Sequence, residues 1–264
     1  MVKTIQEPVV EPVTLQEVKD HLRVVHDEED AIIRSYMQAA RRYAETTFCW
    51  RAFMPQTLEL VLDSFPPNAI KIPRPPLQEV TSIIYTDKGG TEHTVDPGDY
   101  IVDTDSEPGR IVPAYGERWP ADILYPVSAV RVRYRAGYQA STGKVNVTNG
   151  AEDPFVNVSW VSGGKFDTDW GQNKRIVING KVYSISSVTD DENLELNEDV
   201  GEELTGVSYV VDDVPEEIRQ GILIMTAHLY AAREPIVTGT NVIEIPWSAS
   251  ALLGTYRAWG GEVV

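Results

Sequence analysis

Arg175-Ile176-Val177-Ile178-Asn179-Gly180-Lys181-Val182-Tyr183-Ser184-Ile185 decides how this chain is organised. Two strands of alternating character meet at Asn179-Gly180. A two-residue hairpin turn needs positive φ at its central positions, and Asn-Gly supplies it at the lowest steric cost. The alternation returns in Leu194-Glu195-Leu196 and in Val207-Ser208-Tyr209-Val210-Val211. Upstream, Ser141-Thr142-Gly143 opens a stretch that carries turn signals throughout and almost nothing that suits a long helix. Residues 139–211 therefore read as one small antiparallel β barrel or sandwich. Acids well outnumber bases in it, so it holds a disproportionate share of the charge.

Outward from this unit the pattern is mixed. Residues 1–13, with Pro8 and Pro12 among valines, read as an extended lead-in. Thr14 and Glu17 have capping-box spacing and start a short helix with Leu15, Val18 and Leu22 on one stripe. A second helix is expected from Asp27 to about Phe48. Ile32, Ile33, Tyr36, Ala39, Ala40 and Tyr43 form its apolar side, and Arg34, Gln38, Arg41 and Arg42 the other. Strands follow at 58–62, 69–72, 80–85, 91–95, 100–102, 109–113 and 128–135, the third and fourth joined as a hairpin through Asp87-Lys88-Gly89-Gly90. Helix returns after Asp212-Asp213, with Pro215 in its first turn and Ile218, Ile222, Met225 and Leu229 at helical spacing, and Pro235 ends it. Residues 236–246 are expected to be loop or extended. A last short helix is expected over Trp247–Trp259, with Ala251, Leu252, Tyr256 and Trp259 inward. The fold class is α+β. Residues 1–138 and 212–264 form a host domain of N-terminal and C-terminal helices with a β-strand region, and residues 139–211 are a β domain inserted at exposed turns.

Composition removes several function classes. A chain of 264 residues has room for one large or two modest domains. Nothing approaches the ~20 apolar residues of a membrane span, and the N-terminus lacks the apolar core of a signal peptide, so the chain is expected in the cytosol unless it leaves in a larger assembly. Cys49, the one cysteine, excludes an internal disulfide and a multi-cysteine zinc site, and it reads as a buried spectator thiol. The formal net charge of −17 is the reverse of what grips phosphates. It suits either plain solubility or a surface past which DNA slides.

No constellation qualifies as an active, metal or cofactor site. His21, His26, His93 and His228 are scattered. Asp167-Thr168-Asp169 lacks the rest of a calcium loop. Gly163-Gly164-Lys165 lacks the first glycine of a phosphate loop and the hydroxyl after its lysine. Asn146-Val147-Thr148 and Asn157-Val158-Ser159 fit the glycosylation pattern by chance. Two surface features carry more. Arg131, Arg133 and Arg135 share one face of a strand, for salt bridges to neighbouring strands or to acids of an adjacent copy. Trp247, Leu252, Leu253, Tyr256, Arg257 and Trp259 form a cluster rich in the residues that dominate interfaces, or else a tail docked on its own domain.

Thr14-Leu15-Gln16-Glu17-Val18-Lys19-Asp20-His21-Leu22-Arg23, the helix that follows Asp27-Glu28-Glu29-Asp30, and its ending Tyr43-Ala44-Glu45-Thr46-Thr47 resemble the opening of the tailed-phage head–tail connector family. Ile72-Pro73-Arg74-Pro75-Pro76, Val130 to Tyr138 and Val214-Pro215-Glu216-Glu217-Ile218 are similar to later motifs of the family, in the same order. The segment 139–211 departs from many relatives. It looks like a β module found on other phage structural proteins. The resemblance implies a non-enzymatic adaptor without cofactor, assembled with itself as a ring of usually about twelve copies. It implies a place under the portal protein in the neck of the virion, reached from the host cytoplasm during assembly and not through a membrane. The ring would extend the DNA channel without binding the genome specifically and would offer a platform to a stopper or tail-completion protein. A C-terminal segment would contact the portal. Two alternatives stand beside this: another neck or tail-completion protein, and a carbohydrate- or receptor-binding module using Trp160, Trp170, Tyr183 and Tyr209.

Overall fold

The computed structural model describes residues 1–121, 123–149, 156–232 and 246–258. In chain order its elements are β1 (Val2–Gln6), α1 (Leu15–Leu22), α2 (Asp30–Tyr43), β2 (Gln56–Leu62), β3 (Ile70–Lys71), β4 (Leu77–Thr86), β5 (Glu92–Thr94), β6 (Tyr100–Asp103) and β7 (Arg110–Pro113). There follow β8 (Val130–Ala136), β9 (Ala140–Asn149), β10 (Val156–Gly163), β11 (Arg175–Ile178), β12 (Lys181–Val188), β13 (Asn193–Leu196), β14 (Leu204–Asp212), α3 (Glu216–Ala231) and α4 (Trp247–Gly254). The fold is α+β, as the sequence pattern predicts. Two compact units divide the chain. The first takes Met1–Glu11, Tyr36–Tyr138 and the described residues from Glu216 on; the second takes Pro12–Ser35 and Gln139–Pro215.

In the first unit an antiparallel sheet is ordered β1-β2-β8-β4-β5, and a smaller one β3-β7-β6. Period-two alternation makes β8 two-faced. Val130, Val132, Tyr134 and Ala136 are buried, while Arg131, Arg133 and Arg135 point the other way. The inward face joins Leu58, Leu60 and Ile83 with Ile70 and Ile111 of the smaller sheet in one core. Phe65 stacks on Trp119 at its margin, 5.1 Å between ring centres. α2 does not stop at Tyr43 but continues as a π-helical turn over Ala44–Phe48, closed by the Cys49 N–H on the Ala44 carbonyl at 2.7 Å. α3 and α4 pack together where Gly221 leaves room for Leu253: a Cβ at Gly221 would lie 2.7 Å from Leu253 Cγ.

The second unit holds a closed barrel ordered β10-β13-β12-β11-β14-β9. Its hairpin turn is the expected one, with φ of 50° at Asn179 and 80° at Gly180. Val145, Val147, Val158, Ile176, Ile185 and Leu196 fill the interior. Both crossings of the chain into this barrel lie side by side: Ala140 pairs with Asp212, and the Asp213 N–H donates to the Gln139 carbonyl at 3.0 Å. α1 begins as read, with Thr14 and Glu17 each accepting the other's backbone N–H, at 3.1 and 2.6 Å.

Three sequence-based expectations are corrected. α2 starts at Asp30 and not at Asp27, because Asp27 lies in the preceding turn with its carboxylate 2.5 Å from Lys19 Nζ. Arg41 is not on an outward face but is 2% exposed. Ser141-Thr142-Gly143 is no turn but the start of β9, paired with β14, and Gly143 also lies opposite Gly163 of β10. There the glycines let two strands close on each other. A Cβ on Gly163, whose φ is +96°, would meet the Gly143 Cα at 2.5 Å, and one on Gly143 would collide with the Ser162 carbonyl. Gly163→Ala is therefore expected to lower stability by about 3 kcal/mol, from left-handed strain plus the clash. Gly171→Ala, where a Cβ meets nothing within 4 Å, should stay within about 0.5 kcal/mol of the parent. Urea unfolding of the two variants checks both values.

Candidate functional site

The arginine face is built by register. Cross-strand partners share a face, so the open side of the five-stranded sheet carries three rows. Val61, Arg131, Ile84 and Thr94 form one; Lys3, Glu59, Arg133 and Ser82 the next; Gln6, Thr57, Arg135 and Glu79 the third. Arg131 is ion-paired with Glu92, and Arg133 reaches Glu59 at 3.3 Å. Two of the three arginines thus take the intramolecular salt bridges that strand neighbours offer. Arg135 is exposed in a cleft beside Glu7 and Glu79, with no ion pair among the described residues.

The C-terminal cluster divides. Leu253 is fully buried. Tyr256 donates its hydroxyl to Glu217 at 2.8 Å, while its carbonyl accepts Arg51 Nε at 2.9 Å. Trp247 is 84% exposed, Leu252 is half-buried and Arg257 is exposed. Trp259 lies outside the described residues. The helix is also shorter than expected, ending at Gly254. Its inward side is Ala249 and Leu253, not Ala251, Leu252 and Tyr256, because that side faces the gap at Gly221. The expected stop at Pro235, the loop at 236–245 and the glycines at 260–261 also lie outside the described residues.

Around this segment the first unit is held by charge. Arg51 makes a bidentate contact with Glu107, at 2.9 and 2.5 Å, and lies over the Tyr138 ring. Cys49 is buried beside the Leu253 carbonyl, 3.4 Å from Sγ. Burial pushes its thiol up to about 12, against the opposing pull of Arg51 and Arg257. The spectator reading of Cys49 agrees with this, since a thiol so raised is not a nucleophile near neutral pH.

Sequence reading missed the strongest cluster. Arg41 donates to Glu45 at 2.7 Å, to Glu11 at 2.7 Å and to Glu7 at 3.1 Å. Glu45, itself 2% exposed, also accepts the Phe53 N–H at 2.7 Å and Gln56 Nε2 at 2.9 Å. Burial works against the guanidinium charge, but Glu45 and Glu11 outweigh it and the Arg41 pKa rises. Burial pushes the Glu45 carboxyl upward against Arg41 and the Phe53 N–H. The i, i+4 spacing of Arg41 and Glu45 was the signal available in the sequence. The role of these groups is to hold chain segments together.

In the second unit the aromatics serve the barrel. Tyr209 and Phe166 are buried edge to face, 5.5 Å apart, and Trp160, Trp170 and Tyr183 pack partly buried on the same core. Lys165 lies over the Trp160 ring and is itself held by Asp191 and Glu192 at 2.7 and 2.8 Å. A cleft beside Trp170 is lined by Lys165, Lys174, Asp167 and Asp213, and its charged groups engage one another or near neighbours. Among the described residues no group of three or more His, Cys, Asp or Glu side chains is placed to hold a metal ion, and no helix is long and apolar enough to cross a membrane.

What this geometry offers is surface for contact between proteins. Residues 12–95 match the family described as phage gp6-like head-tail connector protein. That family is structural and not enzymatic. A search of curated proteins returns no match. Among solved structures the chain resembles a subunit in "Neck of empty GTA particle computed with C6 symmetry", with TM-score 0.56 and 17% identity over 100% of this chain and 98% of that one. It also resembles chains of "Virion of native gene transfer agent (GTA) particle", at 16% identity and TM-score 0.56, and of "Neck of native GTA particle computed with C12 symmetry", at 15% and 0.55, with the same coverage. At such identities the likeness is one of fold. It extends over the whole chain, so the segment 139–211 is included.

Removing one partner of a buried ion pair leaves the other uncompensated. Arg41→Met is accordingly expected to cost about 3–5 kcal/mol in urea unfolding, and adding Glu45→Leu should recover part of that loss. For Cys49, an aromatic disulfide reagent should find no reactive thiol in the native protein and one per chain in denaturant.

Proposed function

We propose that this chain is a structural subunit of the head–tail neck of a phage-like particle, one copy in a ring, performing no catalysis. The match of residues 12–95 to the head–tail connectors carries this reading. The full-length likeness in fold to neck subunits determined with sixfold and twelvefold symmetry supports it. The ring holds about twelve copies, a number supported by the twelvefold symmetry of one neck whose subunit this chain resembles in fold. It sits beneath the portal protein, extends the DNA channel and offers the platform on which stopper or tail-completion proteins dock. The virion neck is then its final location, and the host cytoplasm the place of assembly.

The charge suits that task. A net −17 repels a phosphate backbone, so a genome passing the ring meets no adhesive wall. For the portal contact the favoured element is α4, which has no charged residue and bears the exposed Trp247, with Leu252 and Arg257 nearby. Other neck or tail-completion roles share the family and differ in position. The carbohydrate-binding alternative is weakened by the barrel aromatics, which pack on their own core.

Light scattering and negative-stain imaging of the chain, alone and with its portal, test this reading. A ring of about a dozen copies in either state is the expected result. A chain that stays monomeric and ignores the portal at every concentration refutes it. Trp247→Ala is expected to weaken portal binding by about tenfold or more, with the melting temperature unchanged because the side chain packs on little in the free chain.

A further inference from the structure

We propose that the open face of the five-stranded sheet is the surface by which one copy receives the next, and that its occupant is the acidic turn between β13 and β14 of the neighbouring copy. This interface presupposes the ring proposed above and gives it a contact. On the sheet face Arg131 and Arg133 are engaged with Glu92 and Glu59. Two cations on the same face are not. Lys3 ends the middle row, and Arg135 stands in the third, both exposed and neither in an ion pair among the described residues. Glu79 is opposite Arg135 in register yet makes no bond to it, and the nearby Glu7 is engaged with Arg41 and Arg42. What sets Arg135 apart is its place: it stands on the same sheet face as Arg131 and Arg133, in a cleft beside Glu79, with its guanidinium left over for a carboxylate from outside.

The complementary charge lies on the barrel. Between Leu196 and Leu204 the turn carries Glu198, Asp199, Glu202 and Glu203. Glu198 accepts from the Ser184 backbone and hydroxyl, and Asp199 from the Gly201 N–H. Glu202 and Glu203 are exposed and have no hydrogen bond or ion pair among the described residues. The two patches are different surfaces of one sequence, and their unengaged groups, Lys3 and Arg135 on the sheet and Glu202 and Glu203 on the turn, are opposite in charge. A two-fold dimer needs a patch complementary to itself, whereas two unlike patches join copies head to tail, the arrangement that closes into rings. A guanidinium offers two parallel donors to a carboxylate, so Arg135 fixes the register of the contact and Lys3 adds charge at its edge.

The test is assembly of the full chain, alone or on its portal, followed by light scattering for Arg135→Glu, for Arg135→Gln, and for Arg135→Glu combined with Glu202→Lys and Glu203→Lys. Arg135→Glu should weaken assembly by about tenfold or more with melting unchanged, Arg135→Gln should weaken it less, and the combined reversal should restore it. Assembly of the parent should also weaken as salt rises from about 0.05 to 0.5 M. Normal assembly of Arg135→Glu overturns the assignment, as does a loss that the combined reversal fails to restore. Binding of duplex DNA that Arg135→Glu abolishes while rings still form would give the face to phosphates and overturn it too. A parent chain that never assembles overturns the ring itself, a result distinct from a ring that ignores Arg135.

Discussion

Arg41 is the constraint on which the first unit depends. Its guanidinium is almost fully enclosed and is satisfied from three directions: by Glu45 a turn further along the same helix, and by Glu11 and Glu7 from the N-terminal stretch. Glu45 in turn fixes the Phe53 N–H and the Gln56 side chain, at the start of β2. One buried charge therefore determines where the N-terminal strand leaves the sheet, where the helix ends and where the next strand begins. An apolar core alone gives compactness without such a register, and an enclosed ion pair tolerates few alternative placements. The π-helical turn over Ala44–Phe48 belongs to the same arrangement, since the extra residue in that turn displaces the helix end while Glu45 stays in reach of Arg41.

The distribution of charge follows a division of labour. Bases are drawn to places where they hold the fold: Arg41 with its carboxylates, Arg51 on Glu107, Arg175 between Glu17 and Asp212, Lys19 between Asp27 and Asp30. With these cations so engaged, the surplus of acids falls on the surface and is concentrated in the barrel unit. The charge left on the outside is therefore predominantly negative, which repels phosphates.

Much of this was legible in the sequence, for identifiable reasons. Strict alternation in β8 and around Asn179-Gly180 fixed both the strands and their faces, because a strand's period admits no ambiguity once one side is apolar. Capping by Thr14 and Glu17 is local chemistry and was read correctly. What escaped depends on partners remote in the chain. Helical spacing separates Arg41 from the apolar stripe, but nothing nearby reveals that Glu7 and Glu11 will cover it. Ser141-Thr142-Gly143 has the composition of a turn, while the tight approach of Gly143 to Gly163 requires knowing which strand lies opposite. The inward side of α4 was misjudged by one position, since the deciding feature is the missing side chain of Gly221 on another helix. The arginine face was visible as a pattern, and only the register distinguishes Arg135 from its two engaged neighbours.

The paired strands at the root of the barrel bear on how such a chain is inherited. Because Ala140 lies against Asp212, and Gln139 against Asp213, a segment of more than seventy residues leaves and re-enters the chain through a doorway one strand pair wide. Genes can acquire or shed a module with that anatomy by a single event, with no re-threading of what lies on either side. Arg175 of the barrel bonds Glu17, the capping-box partner of Thr14 in α1, so the barrel is joined to a helix well over a hundred residues earlier in the chain. A chain shorn of the barrel would leave Glu17 without this partner, so the helix and the barrel are coupled although far apart in sequence.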